Sequence, residues 1–276
     1  MCYNHRMRYI TIITGASSGI GAEFARQLAP DASGTELWLI ARRAERLSQI
    51  KAELEALPFP PLIRTFALDI AGRGGVESFS ALLSEEAARG EFLVRTLINN
   101  AGRGTYGVFE KTPLHKELDL IDLNVTALTG ICGLCLPYMR EGALVINTAS
   151  MAGFWPLGNF AVYGASKAYV LSFSIALAAE LKDRGIHVLA LCPGPVDTEF
   201  AAVASNGARQ HVRHGVSARK VVRHCLRKAR RGRHIAVLAL GWKLEALASR
   251  LFGRYAGARL TYRFCKRPNA DIDAPQ

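Results

Sequence analysis

Short apolar runs alternate with longer amphipathic segments along most of the chain. Tyr9–Ile13, Leu37–Ile40, Leu62–Leu68, Val94–Ile98, Ala143–Asn147 and His187–Leu191 are too short for apolar helices and fit buried strands. Between them the period changes to that of a helix. Ile20, Phe24 and Leu28 share one face, Ala44–Leu57 forms a second helix, and Gly75–Arg89 has a charged outer face. Thr112 and Pro113 suit an N-cap and first turn, opening an apolar helix that runs to about Tyr138. Another runs from near Tyr163 to about Arg184. This alternation predicts an α/β fold: a doubly wound parallel sheet with right-handed crossovers and helices on both faces. Residues 1–204 would form the core. Residues 205–276 would be an extension of the same single domain, with a mobile polar lid at Ala201–Gly215. A helix capped by Ser217, a last strand at Ile235–Leu238 and an amphipathic helix would follow.

The polar positions between these elements carry the chemistry. The first strand runs into T-G-A-S-S-G-I-G, Thr14–Gly21, and then into a helix. Glycines let backbone approach a pyrophosphate, and a helix N-terminus offers amide donors and a positive dipole end. The spacing is G-x-x-x-G-x-G (Gly15, Gly19, Gly21), so nucleotide binding rests on the strand and helix flanking it. The second strand ends in Ala41-Arg42-Arg43, with no acid to bind ribose hydroxyls. Arginines there suit a ribose 2′-phosphate, which favours NADP(H) over NAD(H). The fourth strand ends in Asn99-Asn100-Ala101-Gly102, small enough for backbone to pass close to a bound ring.

Tyr163 and Lys167 stand one helical turn apart on one face. A phenol beside a fixed ammonium is expected to ionise below its usual pKa of about 10 and to act as an acid or base near neutral pH. Ser150 ends the fifth strand, at the sheet edge where such folds bind ligands. Phe154, Trp155, Leu157 and Phe160 follow it and suit either an apolar substrate wall or the core. Asn124 lies inside an apolar helix, where its amide needs partners, structural or functional.

Composition narrows the setting. Half of the 276 residues are hydrophobic, enough for a sizeable core. No apolar run is expected to span a bilayer, Ile235–Trp242 being the longest. Six scattered cysteines give no disulfide framework, and Cys132-x-x-Cys135 lacks companions for a metal site, so no metal is expected. Both fit helix packing. A reducing, cytoplasmic setting follows as the default. The net charge of +12 belongs wholly to the C-terminal quarter, where residues 205–267 hold 17 Lys and Arg against Glu245. The main body is slightly acidic, which argues against nucleic acid as a partner. In the last helix Leu240, Leu244, Leu247, Leu251 and Tyr255 form a stripe, with Lys243, Arg250 and Arg254 off it. Such a helix packs on its own domain or a partner, or lies on an anionic membrane surface.

With these motifs in order over roughly Arg8–Phe200, the chain resembles the short-chain dehydrogenase/reductase family. The resemblance implies a Rossmann-type fold and an NAD(P)-dependent oxidoreductase interconverting a carbonyl and an alcohol, with reduction favoured if NADP is used. Gly15, Ser17, Ser18, Gly19, Ile20 and Gly21 match its cofactor loop, and Asp69 with Ile70 the adenine contact. Asn100, Ala101 and Gly102 match the motif supporting the central sheet. Pro193, Gly194, Val196 and Thr198 match the segment that holds the nicotinamide. Asn124, Ser150, Tyr163 and Lys167 match the catalytic residues. By resemblance Tyr163 moves the proton, Lys167 lowers its pKa and binds the ribose, Ser150 holds the substrate oxygen and Asn124 completes a proton relay. A hydrophobic small-molecule substrate, and a homo-oligomer built on the two long helices, are the remaining expectations.

Overall fold

The structure is a computed structural model that describes residues 7–32, 34–210, 212, 215–251 and 253–273. The apolar runs become strands β1 (Arg8–Thr14), β2 (Glu36–Ala41), β3 (Leu62–Ala67), β4 (Phe92–Asn99), β5 (Leu144–Thr148) and β6 (His187–Leu191). With β9 (Ile235–Ala236) they form one seven-stranded sheet in the order β3-β2-β1-β4-β5-β6-β9, and every pairing is parallel. Such strands are buried on both faces, which is why the runs are apolar without alternation. Val196–Asp197 (β7) and Val216–Ser217 (β8) pair separately; between them α7 (Phe200–Ala204) makes the start of the expected polar lid a short helix that buries Ala201 and Ala204.

Helices cover both faces. The helices α1 (Gly19–Leu28), α2 (Ala44–Glu55) and α8 (Ala218–Arg230) bury Phe24, Leu47 and Val221 against Ile13, Leu39 and Leu189. On the other face, α3 (Gly72–Ala88), α5 (Leu128–Cys135) and α6 (Ala161–Glu180) bury Phe79, Ile131 and Leu177 around Trp38, Leu97 and Val145. The amino edge of the sheet is closed by Glu86, whose buried carboxylate meets Arg8, Arg64 and Arg89. Arg64 holds that carboxyl below its usual pKa. Reversal of strand order between β1 and β4 leaves a crevice at the opposite, carboxyl edge.

Three details differ from expectation. Pro113, not Thr112, takes the N-cap position of α4 (Leu114–Ile121), and the Thr112 hydroxyl donates to the Val108 carbonyl instead. The long helix containing Asn124 is also interrupted by a π-helical stretch, Asp122–Ala127. Finally, two stretches, Leu114–Tyr138 and Ala161–Glu180, are long and apolar enough by composition to cross a membrane, contrary to the sequence reading. Each buries part of its apolar surface within this fold, as core helices do.

Cys132 and Cys135 are buried and free. The Cys132 sulfur accepts from Asn99 and faces Asn147 within the core, consistent with packing.

Candidate active site

The glycine loop between β1 and α1 is forced by its surroundings. Gly15 and Gly19 have positive φ, +65° and +55°, where a side chain is strained. A Cβ on Gly21 would sit 2.2 Å from the Gly15 carbonyl oxygen. The loop is tied to the end of β4, where the Thr14 hydroxyl accepts from the amides of Asn100 and Ala101, each at 3.0 Å. Asn100 Nδ2 donates back to the Thr14 carbonyl at 3.2 Å. Two strand ends and a helix N-terminus therefore form one rigid cradle.

This cradle opens into a cleft of about 670 Å³ along the carboxyl edge. Gly15, Ser17, Ser18, Gly19, Ile20, Arg42, Arg43, Asp69 and Ile70 line one end. Asn100, Ala101, Gly102, Pro193, Gly194, Val196 and Thr198 border its course to Ser150, Tyr163 and Lys167. Gly21 and Asn124 stand behind the surface. Gly21 is needed for packing under the loop. The donor set fits a dinucleotide: phosphate-sized glycine cradle, basic adenosine end and acid–base groups at the far end.

At the adenosine end the arginines are already engaged. Arg43 pairs with Glu199 at 2.9 Å and donates to Ser17 and Ser18. Arg42 is largely exposed and meets Asp69 only at 3.8 Å. Arg42 is thus the more available of the two.

At the other end, Tyr163 and Lys167 come from α6, as their spacing implies. The Lys167 ammonium is buried and donates to the Thr148 carbonyl at 2.7 Å. Burial lowers its pKa from 10.5 to about 8. The Tyr163 phenol is pushed up to about 12 by burial, which outweighs the lowering effects of a Ser150 hydrogen bond and the Arg267 charge. The expected depression of this phenol by its lysine neighbour is not seen. The cause is that both groups are dehydrated and the ammonium is spent on the Thr148 carbonyl, 5.8 Å from the tyrosine ring centre. Tyr163 is therefore a protonated acid at neutral pH. Ser150 is fixed by accepting from the Ala152 amide at 3.1 Å.

Asn124 is fully buried in the π-helical stretch. Its oxygen accepts from the Arg103 amide, and its nitrogen donates to the Arg103 carbonyl and to Ser166. It abuts Gly102, where an added Cβ would lie 3.1 Å from its oxygen and 3.4 Å from the Lys167 nitrogen.

Beyond Tyr163 the wall is aromatic. Phe160 stacks on Tyr163 with ring centres 4.1 Å apart, Tyr106 meets Phe160 edge-on, and Phe200 leans on Tyr163. Leu157 and Phe160 line the cleft, whereas Phe154 packs in the core and Trp155 lies against Gly257. Arg209 and Arg267 also reach the cleft. Neither stood out in sequence, being two basic residues among many.

The C-terminal stripe faces away from the body. In α9 (Leu240–Leu251), Leu240 is 71% and Leu251 78% exposed, while Trp242 and Ala246 make the core contact. Trp242 packs over Gly194. The helix thus packs on its own domain through Trp242 and Ala246, and the leucine stripe is not the docking face.

Comparison with known proteins agrees with the geometry. The family model described as short chain dehydrogenase matches residues 9–208. A sulfoacetaldehyde reductase of Chromohalobacter salexigens is 38% identical over 203 residues, 71% of this chain and 75% of that protein. A serine 3-dehydrogenase of Agrobacterium fabrum is 32% identical over 202 residues, 72% of this chain and 76% of its own. Among solved structures, a short-chain dehydrogenase from Sphingobium yanoikuyae in complex with NADPH superposes with a TM-score of 0.75 at 29% identity, covering 89% of this chain and 94% of that one. The crevice, its glycine cradle and the sequence matched across both make this chain a member of the short-chain dehydrogenase/reductase family, oxidoreductases acting on alcohol and carbonyl groups.

Proposed function

We propose that the protein is an NADP(H)-dependent oxidoreductase that interconverts an aldehyde or ketone and its alcohol, mainly as a reductase, on a small molecule with an apolar part. The observation that carries this reading is the meeting of Ser150, Tyr163 and Lys167 at one end of a cleft whose other end is the glycine cradle. The bound nicotinamide supplies the hydride. Tyr163, held protonated by burial, gives its phenolic proton to the substrate oxygen as charge develops there. Ser150 hydrogen-bonds that oxygen. Lys167 holds the nicotinamide ribose and, with Asn124 on the other side of Gly102, serves the relay that returns a proton to Tyr163. The cofactor preference rests on Arg42 and Arg43 and on the NADPH carried by the Sphingobium neighbour. Relatives acting on sulfoacetaldehyde and on serine support a small substrate; the Tyr106, Phe160 and Leu157 wall supports its apolar part.

Two contacts belong to the same reading. Exposed Leu114, Leu118, Tyr169 and Ile175 on α4 and α6 support self-association. The exposed leucines of α9, among the bases that give this quarter its charge, support peripheral contact with an anionic membrane surface.

The test is a titration with NADPH and NADH followed by nicotinamide fluorescence, then NADPH oxidation over a panel of aldehydes and ketones. NADPH should bind more tightly. Tyr163→Phe should keep NADPH binding and lose turnover. Turnover retained in that variant, or no nucleotide binding in the parent protein, would refute the reading.

A further inference from the structure

Three of the arginines bordering the cleft have an acidic partner. Arg42 meets Asp69, Arg43 meets Glu199, and Arg103 meets Asp119 at 3.2 Å. Arg209 and Arg267 form no ion pair among the described residues. Their guanidinium carbons lie 5.9 Å and 5.3 Å from the same Tyr106 ring centre. Arg267 also lies 4.7 Å from the ring centre of Phe160, which itself stacks on Tyr163. Its Nε is buried and has no hydrogen-bond partner among the described residues. Glu245 also borders the cleft, but burial raises its pKa and weakens it as a counter-charge.

Two like charges over one ring, one of them with a buried unbonded N–H, form an arrangement completed by an anion. A guanidinium presents a planar fork that matches the paired oxygens of a carboxylate, sulfonate or phosphate. Aromatic faces fix its plane and exclude water, which strengthens the bond to an anion.

The segment bearing Arg267 is fastened in advance. It joins α10 (Arg254–Phe264) to α11 (Ala270–Asp273). Asn159 Nδ2 donates to the carbonyls of Tyr262 and Cys265, at 2.9 Å and 3.3 Å. Gly158 donates to the Thr261 hydroxyl at 3.0 Å. Beyond Arg267, buried Asn269 donates to the Tyr106 carbonyl at 2.7 Å, and the Ala270 amide to the Ser205 carbonyl at 3.0 Å. Lys116 and Asn206 both bind Asp271. A backbone held this firmly presents its cation with less chain to order when a ligand arrives, which favours affinity.

We infer that Arg267, with Arg209 beside it, sets substrate specificity by binding an oxyanion of the substrate, a carboxylate, sulfonate or phosphate carried near the reacting carbonyl. The assignment rests on the oxidoreductase reading above and gives the aromatic wall a charged end. The substrate is then a short oxo-acid or its analogue, not a wholly apolar ketone.

The test compares 4-oxobutanoate with its methyl ester, which share a chain and differ in charge. The parent protein should prefer the acid. Arg267→Gln should lower kcat/KM for the acid about 30-fold, mostly through KM, and for the ester only within about 3-fold. Arg267→Lys keeps the charge without the fork and should fall between; it also carries the test if the glutamine variant fails to fold. Unchanged NADPH affinity confirms an intact cofactor half. Sulfonate and phosphate analogues of the same chain length then rank the oxyanions. Equal losses for acid and ester, or a parent preference for the ester, would overturn the anion assignment while leaving the oxidoreductase reading intact. Failure of the parent to turn over any carbonyl would overturn that reading and the assignment with it.

Discussion

Replacing Lys167 by Met should abolish turnover without destabilising the ligand-free protein. Burial takes the ammonium from 10.5 to about 8, a difference worth about 3 kcal/mol against the charged form at neutral pH. The bond to the Thr148 carbonyl at 2.7 Å is charge-assisted and returns about 1.5 to 3 kcal/mol. Methionine is unbranched and flexible enough to fill the lysine channel without the charge. The variant should thus equal the parent or exceed it by up to about 2 kcal/mol at pH 7, or a few °C in Tm. The pH dependence is the sharper readout. Because the folded-state pKa lies below the unfolded one, the unfolded chain holds more protons between the two values, and stability rises with pH there. The parent should therefore gain about 2 kcal/mol on the variant between about pH 7 and pH 9.5. Tyr163, raised to about 12, contributes in the opposite sense only above its unfolded pKa of 10 and is common to both proteins. Urea unfolding followed by circular dichroism across that range measures the gap. A gap independent of pH would refute the claim that the ammonium is held in a dehydrated, unfavourable state.

Other perturbations separate the parts of the site. Arg42→Ala should weaken NADPH binding about tenfold and NADH binding within about 3-fold; equal losses would mean that Arg42 does not meet the 2′-phosphate. Gly21→Ala places a methyl against the Gly15 carbonyl and should cost about 1 to 3 kcal/mol, with NADPH binding lost in the same titration; unaltered Tm and affinity would show that the cradle yields. Leu244→Glu with Leu251→Glu should sharply reduce co-sedimentation with phosphatidylserine vesicles while NADPH oxidation continues. Vesicle binding unaltered by the pair would remove the stripe from that role.

The sheet was legible because parallel strands buried on both faces must be continuous apolar runs, and all seven strands lie where such runs occur, the last within Ile235–Leu238. The cofactor loop was legible for a related reason: Gly15 is required by its own left-handed backbone and Gly21 by the Gly15 carbonyl, both within the strand–turn–helix unit. The acid–base chemistry was legible in residue identity but not in electrostatics. Sequence shows an ammonium one turn from Tyr163, yet not that Thr148 captures it or that burial dominates. Periodicity found the leucine stripe of α9 but could not tell which side docks, since Trp242 and Ala246, off the stripe, make the contact. Arg267 was hidden for a different reason. Its place depends on Asn159 and Asn269, more than a hundred residues apart, and nothing local distinguishes it from Arg263 or Lys266.

The strap formed by Cys265–Asn269 also bears on how this enzyme changes over generations. It touches loops at the rim and leaves the central sheet alone, so substitutions within it leave the sheet core and the nucleotide cradle in place. Arg209 and Arg267 both fall outside residues 9–208, the part matched by the family model. Likeness read from that part reports the shared reaction, whereas the proposed anion-binding pair lies beyond it. On the proposed assignment, two relatives with nearly identical cores differ in substrate where these two arginines differ.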